Sequence, residues 1–253
     1  PSAMDSLPSF DEEAQPLEAD GEYEIYPTPH SITYGAASST ITLPSSLPVV
    51  YGAGIDDATK TRARVAFEQV GVTLNETSSA SGMALRVSIK SSGDGVTANT
   101  ANLFSKDGAY KLTIDQSGVT IVGANTDAAF YGLTSMKHIL YQVAKQSAGN
   151  KTVRTLVMED YADVAFRGFI EGYYGNPWTV EDRAELMRFG GEFKMNIYFY
   201  APKDDEKHNK KWRELYTQEE LMPAAEKMAA GIAKNAPIAV RNCKKAINDG
   251  LDV

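Results

Sequence analysis

The chain has 253 residues, with 25 Lys and Arg against 33 Asp and Glu, a formal charge of −8. That balance repels phosphate and argues against a nucleic-acid partner, and no apolar run approaches the roughly 18 residues of a membrane span. Hydrophobic residues make up 43% of the chain and include 13 Tyr and 9 Phe, which excludes a disordered polyanion and leaves one large domain or two ordinary ones.

Residues 1–20 carry Asp5, Asp11, Glu12, Glu13, Glu18 and Asp20 with three prolines and no base, and are expected to form a flexible acidic arm. They have neither a basic start nor an apolar core, so no signal peptide is expected in them. Short strands are predicted at Tyr23–Tyr26, Ser31–Tyr34, Thr40–Leu43 and Val49–Tyr51, each bounded by Pro, Gly or Ser. Asp57 to Val70 places Ala63, Ala66, Phe67 and Val70 on one helical face, with Gly71 as a stop and Asp56-Asp57 as a start. Ala84–Ile89 alternates as a strand with one wet face. Tyr110–Ile114 and Val119–Val122 flank Asp115-Gln116-Ser117-Gly118 as a hairpin. Asp127 to Val143 carries Phe130, Leu133, Met136, Ile139 and Leu140 at helical spacing behind a cap at Asn125. Residues 21–160 are therefore expected to form a small α+β domain: a mainly antiparallel sheet with two helices.

After Val164 the pattern changes. Phe166–Gly172 reads as a strand, Thr179 with Asp182 as a capped helix start, and Lys194–Ala201 as a second strand without alternation, as when both faces are buried. Strand, helix, strand is the unit of parallel sheets and barrels, whose chemistry sits where the strands end. Those ends hold Glu171-Gly172-Tyr173-Tyr174-Gly175 and Ala201-Pro202-Lys203-Asp204-Asp205. The lone Cys243 allows no intrachain disulfide and no zinc site of several cysteines. His30, His138 and His208 lie far apart in sequence, and no metal cluster is predicted.

Arg167–Trp178, Lys194-Met195-Asn196, Tyr200–Asp205 and Lys211–Glu214 fall in an order and spacing that resemble glycoside hydrolase family 84, the O-GlcNAcase-like β-N-acetylglucosaminidases, some called hyaluronidases. The resemblance spans roughly residues 21–220. It implies a small α+β domain over 21–160 preceding a (β/α)8 barrel that starts over 161–220, here an incomplete barrel represented by its first βαβ unit. It implies no cofactor and a retaining mechanism in which the sugar's own 2-acetamido oxygen attacks the anomeric carbon, assisted by two adjacent Asp residues. Gly172 would then contact the sugar through its backbone, Lys203 would bind its hydroxyls and Tyr173 would shape the pocket wall. N-acetylglucosamine-containing glycans or glycoproteins are the implied partners, and a secreted or cell-surface bacterial setting the implied location.

The family's catalytic Asp pair belongs at a later strand end and has no counterpart here. Asp204-Asp205 belongs to the second strand-end motif and is expected to be structural. A full barrel takes about 250 residues, so this chain is expected to be inactive alone. Residues 221–253 resemble the C-terminal helices of crotonases and imply a tail of different origin, without hydratase activity. Two other functions stay open: a non-catalytic carbohydrate-binding or adhesion module, and an assembly piece that self-associates through the incomplete barrel.

Overall fold

The computed structural model describes residues 22–90, 102–171 and 178–200, with 210, 211, 213, 214 and 217 beyond them. The predicted arm over 1–20 and tail over 221–253 lie outside the described residues. What is described is a mixed α/β structure with one large sheet and three principal helices.

The first part runs β1 (Ser31–Tyr34), β2 (Thr40–Thr42), β3 (Ser46–Tyr51), α1 (Asp57–Glu68), β4 (Thr73–Glu76), β5 (Ala84–Ile89), β6 (Tyr110–Asp115), β7 (Gly118–Gly123), α2 (Thr126–Gln146), β8 (Thr152–Arg154) and β9 (Leu156–Asp160). Seven strands pair in the order β1-β9-β6-β7-β5-β3-β4, while β2 and β8 form a separate antiparallel ribbon. The pairings from β1 to β7 are antiparallel and those from β7 to β4 parallel. The sheet expected to be mainly antiparallel is thus mixed. The cause lies in the connections: β6 and β7 meet through a tight turn, whereas β3 reaches β4 only through α1, and such a crossover returns a strand parallel. At the tight turn Gly118 has φ 108° and lies against the Ala84 backbone, so no side chain fits there.

Alternation puts Leu47, Val49, Leu85, Val87, Leu112, Ile114, Val119, Ile121, Leu156 and Met158 on one face. Helices α1 and α2 cover it with Ala63, Ala66 and Phe67, and with Leu133, Met136, Ile139, Leu140 and Val143. The other face is polar, with Lys111 paired to Glu159 across adjacent strands. Both predicted helix starts hold: Asp56 accepts from the Thr59 N–H and Asn125 from the Ala128 N–H. The strand predicted at Tyr23–Tyr26 is absent. Its backbone donors go to side chains instead, Tyr23 N–H to the Tyr34 hydroxyl, Glu24 N–H to Gln142 and Tyr26 N–H to His138.

The second part is β10 (Gly168–Glu171), α3 (Val180–Glu192) and β11 (Ile197–Tyr200), with β10 and β11 parallel. The second strand starts three residues later than predicted because Lys194 takes a left-handed φ of 58° and turns the chain. It is not buried on both faces: Ile170 and Phe199, neighbours in the register, are exposed. The two parts meet at the starts of these strands. Arg167 donates to the Lys194 carbonyl at 2.9 Å and its guanidinium lies 5.5 Å from the Tyr131 ring on α2. Glu192, at the end of α3, pairs with Arg62 of α1 and Lys137 of α2 at 2.8 and 2.6 Å. Lys194 enters the first part and donates to Asp160 at 3.0 Å and to the Tyr110 hydroxyl at 2.9 Å. The opposite ends of β10 and β11 therefore face away from the first part.

Candidate active site at the strand ends

Strand β10 reads Gly168-Phe169-Ile170-Glu171, an apolar run that closes on an acid. The carboxylate of Glu171 is buried, with its side chain 1% exposed. An ionised carboxylate there needs partners, or it would take up a proton. Helix α3 supplies them because its capping box fixes its start. Thr179 accepts from the Asp182 N–H, and Asp182 accepts from the Thr179 N–H. Arg183, one residue further, then points back to the strand. Its Nε and Nη2 donate to the two carboxylate oxygens at 2.6 and 2.8 Å, a bidentate fork. The Tyr198 hydroxyl of β11 also donates to Glu171, and so does the Trp178 backbone N–H.

These contacts settle the charge states. Burial pushes Glu171 up, but the hydrogen bonds from Arg183 and Tyr198, with the Arg183 charge, outweigh it and hold the carboxyl below the usual glutamate value. Burial and the adjacent carboxylate raise Tyr198 far above the ordinary phenol, so it stays a neutral donor. Glu171 is thus ionised with its oxygens occupied, which suits fixing the strand end and does not suit proton transfer. Trp178 is 45% exposed and presents an indole beside this point.

Gly172 and Tyr173 follow Glu171 directly in the chain, and both lie outside the described residues, as do Lys203, Asp204 and Asp205. The parallel unit brings the ends of β10 and β11 side by side, with Glu171 opposite Tyr200 in the register. The segments carrying Gly172 and Lys203 therefore leave the sheet from neighbouring strands. Sequence reasoning missed the cluster of Glu171, Arg183 and Tyr198. Its available signal was the acid closing an apolar strand, which demands a cation, and an Arg in the first turns of the following helix.

A second cluster lies at the other end of the strands. His30, expected to be structural or exposed, stacks on Tyr161 at 3.7 Å and bonds Asp160 at 2.9 Å and Asp163 at 3.2 Å. The hydrogen bond to Asp160 leads the causes that raise its pKa. Lys194 and Asp160 are both buried: burial pulls Lys194 down and Asp160 partly restores it. Burial pushes Asp160 up, but Lys194, His30 and Tyr110 hold it below its usual value. This cluster joins the two parts of the chain and has no open side for a substrate.

Residues 22–161 match the family described as glycosyl hydrolase family 20, domain 2, and residues 167–239 match beta-N-acetylglucosaminidase. The second match continues past residue 221, into the segment that resembles crotonases. Among solved structures, that of CpGH84D is 40% identical, with a TM-score of 0.69 over 88% of this chain and 36% of its own. That of CpGH84B is 29% identical, with a TM-score of 0.62 over 85% of this chain and 36% of its own. Protein O-GlcNAcase of Rattus norvegicus is 53% identical over 53 residues, 21% of this chain and 6% of that protein. The chain thus spans about a third of the solved relatives and far less of the curated one. It belongs to the β-N-acetylglucosaminidases of the glycoside hydrolase family 84 type, with a family 20 domain 2 unit over residues 22–161.

Proposed function

We propose that this chain is part of a glycoside hydrolase that cleaves β-linked N-acetylglucosamine from glycans or glycoproteins by a substrate-assisted, retaining route. The observation that carries this is the 40% identity to CpGH84D over 88% of the chain. The acetamido oxygen of the sugar attacks the anomeric carbon and forms an oxazoline, which water then opens. Family enzymes of this kind use no carboxylate nucleophile. Gly172 binds the sugar through its backbone, Tyr173 forms part of the wall and Lys203 binds hydroxyls. The neighbouring exits of β10 and β11 support this grouping. The proposed organisation is an acidic arm over 1–20, an α+β unit over 21–160, the opening of a barrel over 161–220 and a helical tail over 221–253. The proposed setting is secreted or cell-surface. Among the described residues, no helix is long and apolar enough to cross a membrane.

The family's catalytic Asp pair has no counterpart in this sequence, so the chain alone binds sugar rather than turning it over. Losing one acid–base group costs about 10²–10⁴ in rate. The test is hydrolysis of an aryl N-acetyl-β-glucosaminide by the purified chain, beside Lys203→Ala. Absent turnover with N-acetylglucosamine binding that K203A abolishes is the expected result. Turnover that K203A lowers would mean that acids within this chain, Asp204 and Asp205 first, perform the reaction. A second function, self-association, is favoured by the exposed pair Ile170 and Phe199. It predicts a concentration-dependent mass in sedimentation.

A further inference from the structure

We infer that Glu171 is a positioning residue: its carboxylate ties the end of β10 to Trp178, where the chain re-enters the structure ahead of α3. Four donors converge on this one buried group. Two come from Arg183 of α3, one from Tyr198 of β11 and one from the Trp178 backbone. The first two elements would pack without it, since Phe169 already meets Gly190 of α3 in close contact. The Trp178 bond does something packing does not. It sets the start of the helix, and the exposed indole with it, at a fixed place beside the strand end. Residues 172–177, between these two anchors, lie outside the described residues.

The energetics support this role. A buried ion pair is seldom needed for stability, because apolar residues of similar volume often serve as well or better. What a bidentate Arg–carboxylate pair supplies is direction. The carboxylate is held ionised and oriented, so its remaining capacity fixes the Trp178 N–H. Exposed Trp178 beside the strand end then becomes a platform on which the apolar face of a sugar ring can stack. The sugar-binding arm of this inference rests on the β-N-acetylglucosaminidase function proposed above.

The test separates positioning from stability. The triple variant E171M/R183M/Y198F removes the polar cluster and leaves no buried charge unpaired. The Trp178 side-chain N–H resonance is followed by NMR, distinguished from that of Trp212 with W212F, and N-acetylglucosamine is titrated into each protein. The expected result is a melting temperature close to that of the parent, a displaced or broadened Trp178 resonance and affinity at least tenfold weaker. A triple variant whose Trp178 resonance coincides with the parent's overturns the inference, whatever its stability. If the parent itself shows no response to the sugar, the sugar-binding function of the chain fails, and the Trp178 resonance still decides positioning. Should the triple variant not fold, E171Q keeps the side-chain shape while removing the charge. The same resonance shift is then expected, and its absence overturns the inference.

Discussion

Lys194 holds a left-handed φ of 58° and buries its ammonium against Asp160 and Tyr110. For a residue with a Cβ that backbone conformation costs about 1–2 kcal/mol, so what its side chain reaches must outweigh the strain. Asp160→Asn removes the counter-charge from an ammonium that water cannot reach. Breaking such a pair costs about 3–5 kcal/mol, and urea unfolding at neutral pH is expected to show a loss of that order. His138 gives a separate signature. Burial, with nearby Lys194, lowers it from 6.5 to about 4, and its Nδ1 accepts the Tyr26 N–H, a role the protonated ring cannot fill. Between pH 6.5 and about 4 the unfolded chain binds a proton that the folded chain refuses, so stability falls as pH falls, by about 3 kcal/mol across the window. Its removal in His138→Gln should flatten a urea-stability profile over pH 4.5–6.5. His30 acts with the opposite sign. Its folded value is raised, so its contribution is complete below 6.5 and fades as pH rises above it.

Among the elements, α2 lies so close to the sheet that Gly132 leaves no room for a methyl. A Cβ there would stand 2.7 Å from Ile121 Cγ2 and 3.0 Å from Tyr110 Cδ2, both of them fully buried side chains. Gly132→Ala gains about 1 kcal/mol of helix propensity and meets overpacking of about 1–3 kcal/mol. The clash wins because neither neighbour can retreat, and the melting temperature should drop. The same contrast explains which elements were legible. Helices α1 and α2 show through Ala63, Phe67, Leu133 and Met136 at helical spacing and through their Asx caps, which are local signals. The β6–β7 hairpin shows through Asp115 and Gly118. Strands β4, β8 and β9 were not found, since Thr73–Glu76 and Thr152–Arg154 are short and half-polar and take their order from distant partners. Parallel pairing of β3, β5 and β7 is equally non-local. At the candidate site, the strand-end motifs were legible in the sequence. The Glu171–Arg183–Tyr198 cluster was not, because it joins three elements through side chains spread over 27 residues.

Over the whole molecule, the two parts are bonded by charge at one end of β10 and β11. Burial raises Glu192, but Arg62 and Lys137 outweigh it and keep it ionised below its usual value. Together with Lys194 and Asp160 this makes a two-point attachment, and one cooperative transition is expected in calorimetry for the described structure. The double variant D160N/E192Q should divide it into two, with β10, α3 and β11 melting first because they bury the smaller core. A single transition in the double variant would mean that apolar contact alone holds the parts together.

That attachment also fixes where this protein can be recombined with its relatives. A crossover placed at residue 161, the apparent seam in the sequence, would part Asp160 from Lys194, and Arg62 and Lys137 from Glu192. Each side of a chimera would then carry half of two charge pairs chosen to match a different neighbour. A graft that keeps the strand-end chemistry and exchanges the first unit must therefore move these partners as a set, while Glu171, Arg183 and Tyr198 travel together with the second part and need no counterpart from the first.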